Sequence, residues 1–418
     1  MKVSTIILLS LLPISLICQD SLLISNQFKN EINWTSNFIF ESNGLNKEFL
    51  NSMLYSGNIT DEMKDKWIES SNKKNIISSD IRNGISYSYH FKKQSIGFSF
   101  TDVNILNASF TNDLLHLAFE GNFNHQNKTL DIGGTSVRAD RFQQYKISYS
   151  KKYNNMKING GISYLIGNHH LSYIIEKGSL YTANFGAYLD LEYSMNAFVT
   201  DTSDFSLFKN NGNGLAIDFS TSFKVKKYII NFKIEDLGFI IWNNSSIILE
   251  SDSLFNFQGV EVVDIFNFND SILEANDIMQ EINKTNIKSF KSYIPATFHL
   301  SLTGKSKNKY IKKYTLGIIS KWQPYMDNEP LSFSKIGQGL KESNYSPLLY
   351  ISSEFESKSF DIIPNLSYGG YNEEINIGLI LSKGKKNTFA IGTHHLEDIF
   401  NGNKAKAASL YFNIQLQF

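Results

Sequence analysis

Two histidine pairs are the residues best suited to hold a metal or move a proton: His169-His170 and His394-His395. Imidazole is a common metal ligand and titrates near neutral pH. Neighbouring residues on a strand point to opposite faces, so neither pair can close on one ion from an extended segment. The chain has one cysteine, Cys18, and no spaced carboxylate cluster accompanies the histidines. Solvated loop histidines are the simpler reading, and no metal site is expected. Three other charges stand out, Asp218, Lys233 and Glu235, because they interrupt apolar strands and need a wet side. In a barrel they would face the lumen, tuning selectivity, holding a plug or merely forming its wet wall. Gly160-Gly161 is followed by Ile162-Ser163 and lacks the Lys-Ser/Thr that ends a phosphate loop. There is no Gly-x-Ser-x-Gly elbow and no sound catalytic triad. The expectation is a protein that is not an enzyme and carries no cofactor.

The elements that must position these residues are strands. The last ten residues set the pattern: Leu410, Phe412, Ile414, Leu416 and Phe418 on one face, Tyr411, Asn413, Gln415 and Gln417 on the other. A membrane barrel strand alternates in this way, with lipid-facing apolar and lumen-facing polar residues. The same rhythm recurs upstream. Ile85, Tyr87, Tyr89 and Phe91 turn at Lys92-Lys93-Gln94-Ser95 into Ile96, Phe98 and Phe100. Leu215, Ile217, Phe219, Thr221 and Phe223 turn at Lys224–Lys227 into Tyr228, Ile230, Phe232 and Ile234. Asp236-Leu237-Gly238 marks a strand end or bulge. Trp242, Trp322 and Tyr325, near strand–loop boundaries, suit an interfacial aromatic girdle. The fold class expected is all-β: an antiparallel transmembrane β-barrel of about 14 strands, an even number. The closing strand should pair with a first barrel strand near Ile85–Phe91.

Composition agrees. The 32 Phe and 21 Tyr against 6 Pro favour strands, and 40 basic against 40 acidic residues argue against a nucleic-acid binder. A mean hydropathy of −0.23 is too polar for a helical membrane protein, whereas half of each barrel strand faces water. Residues 1–18 read as a secretory signal, with Lys2 before an apolar core that Pro13 interrupts. Cleavage is expected near Cys18-Gln19; a lipid-modified Cys18 is the alternative, disfavoured by Ile17 where a small residue is wanted. Residues 19–80 form an N-terminal segment. Within it, 46–71 hold two short amphipathic helices, the second capped by Thr60, serving as a cap at one end of the barrel or as a partial plug. Residues 112–122 read as one more short helix ending at Gly121. The barrel is expected over 81–418. Its long loops would be 243–293, placed outside and containing a helix around 272–287, and 321–346.

Several short stretches carry a family resemblance across most of the chain. They are Glu48-Phe49-Leu50-Asn51, Phe110-Thr111-Asn112-Asp113-Leu114-Leu115 running to Glu120-Gly121-Asn122, Gly214-Leu215-Ala216-Ile217-Asp218-Phe219, Asp236–Trp242 and Tyr293-Ile294-Pro295. In this order the chain resembles the outer-membrane proteins of Bacteroidota grouped as domain of unknown function 5723. The Gly-Leu-Ala-Ile-Asp stretch is similar to a motif in barrels of the fatty-acid-transporter type. Phe418 resembles the terminal signal by which outer-membrane barrels are recognised for assembly. The resemblance implies a barrel in the Gram-negative outer membrane, with membrane lipid and the barrel-assembly machinery as partners, and it implies no established site residues. Two functions follow as expectations. One is passage of small or hydrophobic molecules; the other is a non-transporting scaffold or accessory protein for secretion or surface attachment, bound to a secretion-system protein.

Overall fold

The structure, a computed structural model, describes residues 29–54, 59–200, 209–257, 284–308, 310–324, 333–357, 359–384 and 386–418. The signal segment with Cys18, and Tyr325, lie outside the described residues. Nineteen strands are described. In chain order they are β1 (Asn30–Ser42), β2 (Lys74–Phe91), β3 (Gln94–Thr111), β4 (Thr129–Asp131), β5 (Ser136–Lys152), β6 (Met156–Thr182) and β7 (Leu189–Val199). Then come β8 (Gly212–Val225), β9 (Tyr228–Trp242), β10 (Ile247–Phe257), β11 (Lys284–Ile287), β12 (Lys291–Tyr293) and β13 (Ala296–Lys305). The last are β14 (Ile311–Trp322), β15 (Ser346–Glu356), β16 (Asp361–Gly370), β17 (Glu374–Lys383), β18 (Thr388–Thr393) and β19 (Ala407–Gln417).

Fourteen of these close into an antiparallel ring, and β4, β7, β10, β11 and β12 extend it at one end. Closure is made by β19 on β1, in register from Glu31 opposite Gln417 to Glu41 opposite Ala407. This corrects the expected closing partner. Ile85–Phe91 lie in β2, one strand further round, and the barrel wall starts within the N-terminal segment rather than at residue 81. There Ile32, Trp34, Phe38 and Phe40 alternate with the inward Glu31, Asn33, Asn37 and Glu41, a pattern interrupted by the outward Asn30 and Ser36 and the inward Ile39. The ends of the wall differ. Backbone hydrogen bonds join Asn30 to Phe418 at the end that also holds the turns Lys92-Lys93 and Lys226-Lys227. Lys92 and Lys226 take positive φ there, as tight hairpins require. All long connections leave from the opposite end.

The outer face is apolar. Ile85, Phe98, Ile147, Ile162, Leu215, Leu349 and Ile377 are all exposed on it, as are Leu410 and Phe418 of the last strand. Tyr411, Asn413 and Gln415 are buried inward, as the alternation requires.

Helices α1 (Lys47–Leu54), α2 (Asp61–Ser70) and α3 (Asn112–Glu120) occur where the sequence places them. Thr60 caps α2 by accepting from the Met63 N–H, and Thr111 does the same for α3 with Leu114. Their apolar faces bring Phe49, Trp67 and Leu115 against Phe40, Ile77 and Ala408. Asn37, Ile39 and Glu41 point into the lumen, so Phe38 and Phe40 point outward. The helices therefore form a collar on the outside of the rim and not a plug in the lumen.

The last described part of the long insertion folds back onto the wall. Phe290, and Ile294 just beyond the insertion, join Val103, Ile105, Phe142, Leu165, Ile240 and Trp242 in one buried cluster on the inner side of the wall. The helix around 272–287 falls largely outside the described residues, and its last four, Lys284–Ile287, are strand β11. Segment 321–346 includes α4 (Phe333–Glu342). Both ends of that segment reach across the mouth. The Arg138 guanidinium donates to the Pro324 carbonyl at 2.6 Å, Gln323 donates to Asp140, and the Asn344 amide donates to Asn107. A fifth short helix, α5 (Glu397–Asn401), precedes β19.

Candidate functional site

The lumen is organised by a bulge. In β8 and β9, Ile217 opposes Leu237 but Phe219 opposes Ile234, so Asp218 faces two residues, Glu235 and Asp236. Asp236 has φ 58, and its N–H, freed from the ladder, donates to the Asp218 carboxylate at 2.8 Å. An extra residue inverts the face on which all later side chains fall. Up to Glu235 the odd positions of β9 point inward; beyond Asp236 the even ones do, which turns Gly238, Ile240 and Trp242 into the barrel.

Around this bulge the inward charges pair. Asp236 accepts from Arg82 at 2.7 Å and from Gln144 at 2.8 Å. Arg82 also donates to Asp80 at 2.9 Å, and Lys146 lies 2.5 Å from Asp218. β2 and β9 are not neighbours in the ring, so Arg82–Asp236 spans the lumen. Lys321 of β14, 3.3 Å from Asp80, makes a second crossing. Removing two charges from water is costly, and the cost is recovered only when every group is paired and hydrogen-bonded.

The crossings divide the interior. One half, under β3, β5, β6 and β8, is filled by the apolar cluster of Phe142, Leu165, Trp242 and Phe290. The other half holds a cavity of about 270 Å³ beside Asp80 and Arg82, reaching Lys233 and Glu235, His299, Lys321 and the rings of Tyr345, Tyr350 and Tyr371. Its charges balance: Glu41, Asp80, Glu235 and Glu354 against Arg82, Lys233, Lys313 and Lys321. Outside the strands, burial holds His394 neutral, with its pKa lowered to about 4; the neighbouring His395 adds to this and Glu41 opposes it.

Of the residues singled out from sequence, Lys233 and Glu235 stand on the cavity wall and pair with each other at 2.6 Å. Asp218 stands apart from them, bound to Lys146 and the bulge. His170 is buried, bonded through Nδ1 to Asp140 at 2.7 Å, with its ring against Trp242 and Phe290. His394 and His395 are also inside rather than on solvated loops: both line the cavity, and His395 lies 3.4 Å from Glu41. Trp242 and Trp322 correct the expected girdle. Trp242 donates to Ser292 and Trp322 packs edge-on to Tyr293, both fully enclosed. Asp80, Arg82, Gln144, Lys146 and Lys321 were missed. Their signal was available in the inward parity of charged residues on separate strands, Asp80 and Arg82 above all.

A closed 14-stranded antiparallel β-barrel with an apolar exterior and a charged, partly filled lumen is the class of protein this structure defines. The profile described as "Family of unknown function (DUF5723)" matches residues 22–337, and the chain belongs to that family. No curated protein matches the chain by sequence. Among solved structures it is similar to the toluene transporter TbuX of Ralstonia pickettii, at 7% identity over 94% of this chain and 90% of that one, TM-score 0.40. It is also similar to a Pseudomonas aeruginosa FadL homologue, at 8% identity over 93% and 89%, TM-score 0.41. A third is the translocator domain of the autotransporter NalP from Neisseria meningitidis, at 6% identity over 96% and 91%, TM-score 0.35.

Proposed function

We propose that the protein is an outer-membrane barrel that admits small, polar, charge-balanced molecules to its lumen. The observation that carries this reading is the cavity of about 270 Å³ whose acidic and basic side chains are matched in number. Because these wall charges already pair with one another, a net-charged guest would find no surplus of the opposite sign, and a hydrocarbon would displace water from the pairs without replacing its hydrogen bonds. A neutral or zwitterionic solute can exchange hydrogen bonds with the Lys233–Glu235 pair and stack on the tyrosine rings. The apolar exterior supports a lipid environment. The cavity volume is at the lower edge of small-molecule sites, which limits the guest to a small one. The Arg82–Asp236 crossing narrows the lumen beside the cavity, so opening it would widen the path.

The test is a set of measurements on protein refolded in detergent and in liposomes. Carbonate-resistant membrane association and heat-modified gel mobility are expected. Zwitterionic amino acids should raise the unfolding temperature and swell proteoliposomes more than toluene or alkanes do. The paired change Arg82→Gln with Asp236→Asn, which keeps hydrogen bonding but removes the charges, should raise bilayer conductance. Stabilisation by hydrocarbons alone would overturn the polar reading. One feature favours the second reading, a non-transporting scaffold: the lumen is crossed by ion pairs and covered by inward segments. Absence of any conductance, in wild type and double variant alike, together with recovery of a stable protein partner by crosslinking would favour it.

A further inference from the structure

On the rim, away from the lumen, three ligand-type side chains converge. His116 and Glu120 are one turn apart on α3, and His125 sits in the 3-10 turn Asn122–His125 that follows. One carboxylate oxygen, Glu120 Oε2, lies 2.8 Å from His116 Nδ1 and 2.6 Å from His125 Nε2. All three donor atoms lie within 4.8 Å of one another. The two rings meet edge to face, with centroids 5.0 Å apart. We propose that His116, Glu120 and His125 form a binding site for a divalent transition-metal ion of the zinc class.

The frame around the three side chains is fixed before any ion arrives. Leu115 and Phe119 bury the adjacent face of α3 in the collar, which leaves His116 and Glu120 on the open side. Gly121, at φ 76, turns the chain back. Asn124 then donates to the Glu120 carbonyl at 2.8 Å, and the Asn127 N–H donates to the Thr182 carbonyl of β6 at 2.7 Å. At the other end of α3, the Asp113 carboxylate accepts from the Asp131 N–H at 2.7 Å. The helix and the turn are thus each tied down independently of the three side chains.

The donor set decides the ion. Two imidazole nitrogens and one carboxylate oxygen suit zinc and its neighbours, bound at about 2.0–2.2 Å. Calcium and magnesium prefer all-oxygen shells. Three protein ligands leave a coordination position for water or for a donor group on a partner molecule. The side chains are 27%, 31% and 12% exposed, so the ion would be reachable from solvent. In the metal-free form, the two ring nitrogens share one carboxylate oxygen; on zinc uptake each ring would carry its proton on its other nitrogen and turn the freed lone pair to the ion. The sequence signal is a His-x-x-x-Glu spacing on a helix, with a further His five residues on.

The probe is Zn2+ itself, titrated into the full-length protein carrying no histidine tag, with calorimetry and amide exchange over residues 112–127 as readouts. One zinc per chain and slowed exchange in this segment are expected. The double variant His116→Ala, His125→Ala, and separately Glu120→Gln, should weaken binding at least about tenfold, a loss of about 1.4 kcal/mol. Both should keep the heat-modified mobility of a folded barrel, and His90→Gln should bind as wild type does. Equal zinc binding by wild type and the double variant would overturn the site. So would displacement of zinc by equimolar Mg2+ or Ca2+.

Discussion

At the scale of single residues the molecule turns on Asp236. It is buried, accepts from Arg82 and Gln144, and sits at positive φ at the bulge. Asp236→Ala removes the acceptor of a buried cation, a change that costs about 3–5 kcal/mol. It also places alanine in the left-handed region, at about 1–2 kcal/mol more. Asp236→Asn keeps an acceptor and a residue that tolerates that conformation, so it should lose clearly less. Chemical unfolding of the detergent-refolded barrel orders the variants; equal losses would mean that neither charge nor conformation matters there. His394 gives a pH dependence. Its folded pKa of about 4 lies below the ordinary histidine value of 6.5. The unfolded chain therefore binds the proton first, and stability present above pH 6.5 is lost as pH falls toward 4. The ceiling on this loss is about 3 kcal/mol. His394→Gln should flatten the decline in unfolding temperature across that window while leaving the neutral-pH end little changed.

At the scale of elements, the collar can be separated from the wall. Trp67 is 1% exposed and meets Phe49 edge to face at 5.0 Å. Trp67→Ala should cost the collar about 3–5 kcal/mol. Proteolysis within 43–73 should then accelerate while the heat-modified mobility of the barrel is kept, because the helices pack on the outer face of the rim; loss of both would place them inside the fold's core. These helices were legible from spacing and caps, since Thr60, Phe49 and Trp67 act locally. The strands were legible wherever one face is apolar and the other polar. β1 was less so: its inward Ile39 and its outward Asn30 and Ser36 blur the alternation. The bulge is legible as Asp236-Leu237-Gly238, but its effect on the face of every later residue is not. Continuing the parity of Ile230, Phe232 and Ile234 through it sends Trp242 outward, whereas the extra residue sends it into the lumen. The chamber depends on pairs such as Arg82 and Asp236, 154 positions apart. No local pattern encodes that distance.

At the scale of the whole molecule, closure depends on strand parity. β1 is antiparallel to both β19 and β2, so those two run parallel to each other. Without β1 the ring would have to close through a parallel pair, or leave two unpaired edges in an apolar surrounding where backbone groups find no water. Deleting 30–42 should therefore abolish the heat-modified form both in cells and on refolding into detergent. Phe418 sits at the same seam but contributes differently. Its backbone exchanges two hydrogen bonds with Asn30, each 3.0 Å, while the ladder from Glu31 to Glu41 is independent of it. Its ring is 56% exposed on the outer face, so the fold gains little from it. Removing Phe418 should leave refolding in detergent nearly intact and still lower the amount of assembled barrel in the membrane, if a terminal aromatic is what the assembly machinery reads. Equal loss in both settings would make Phe418 a structural residue of the seam. Normal assembly in cells would show that recognition lies elsewhere along β19.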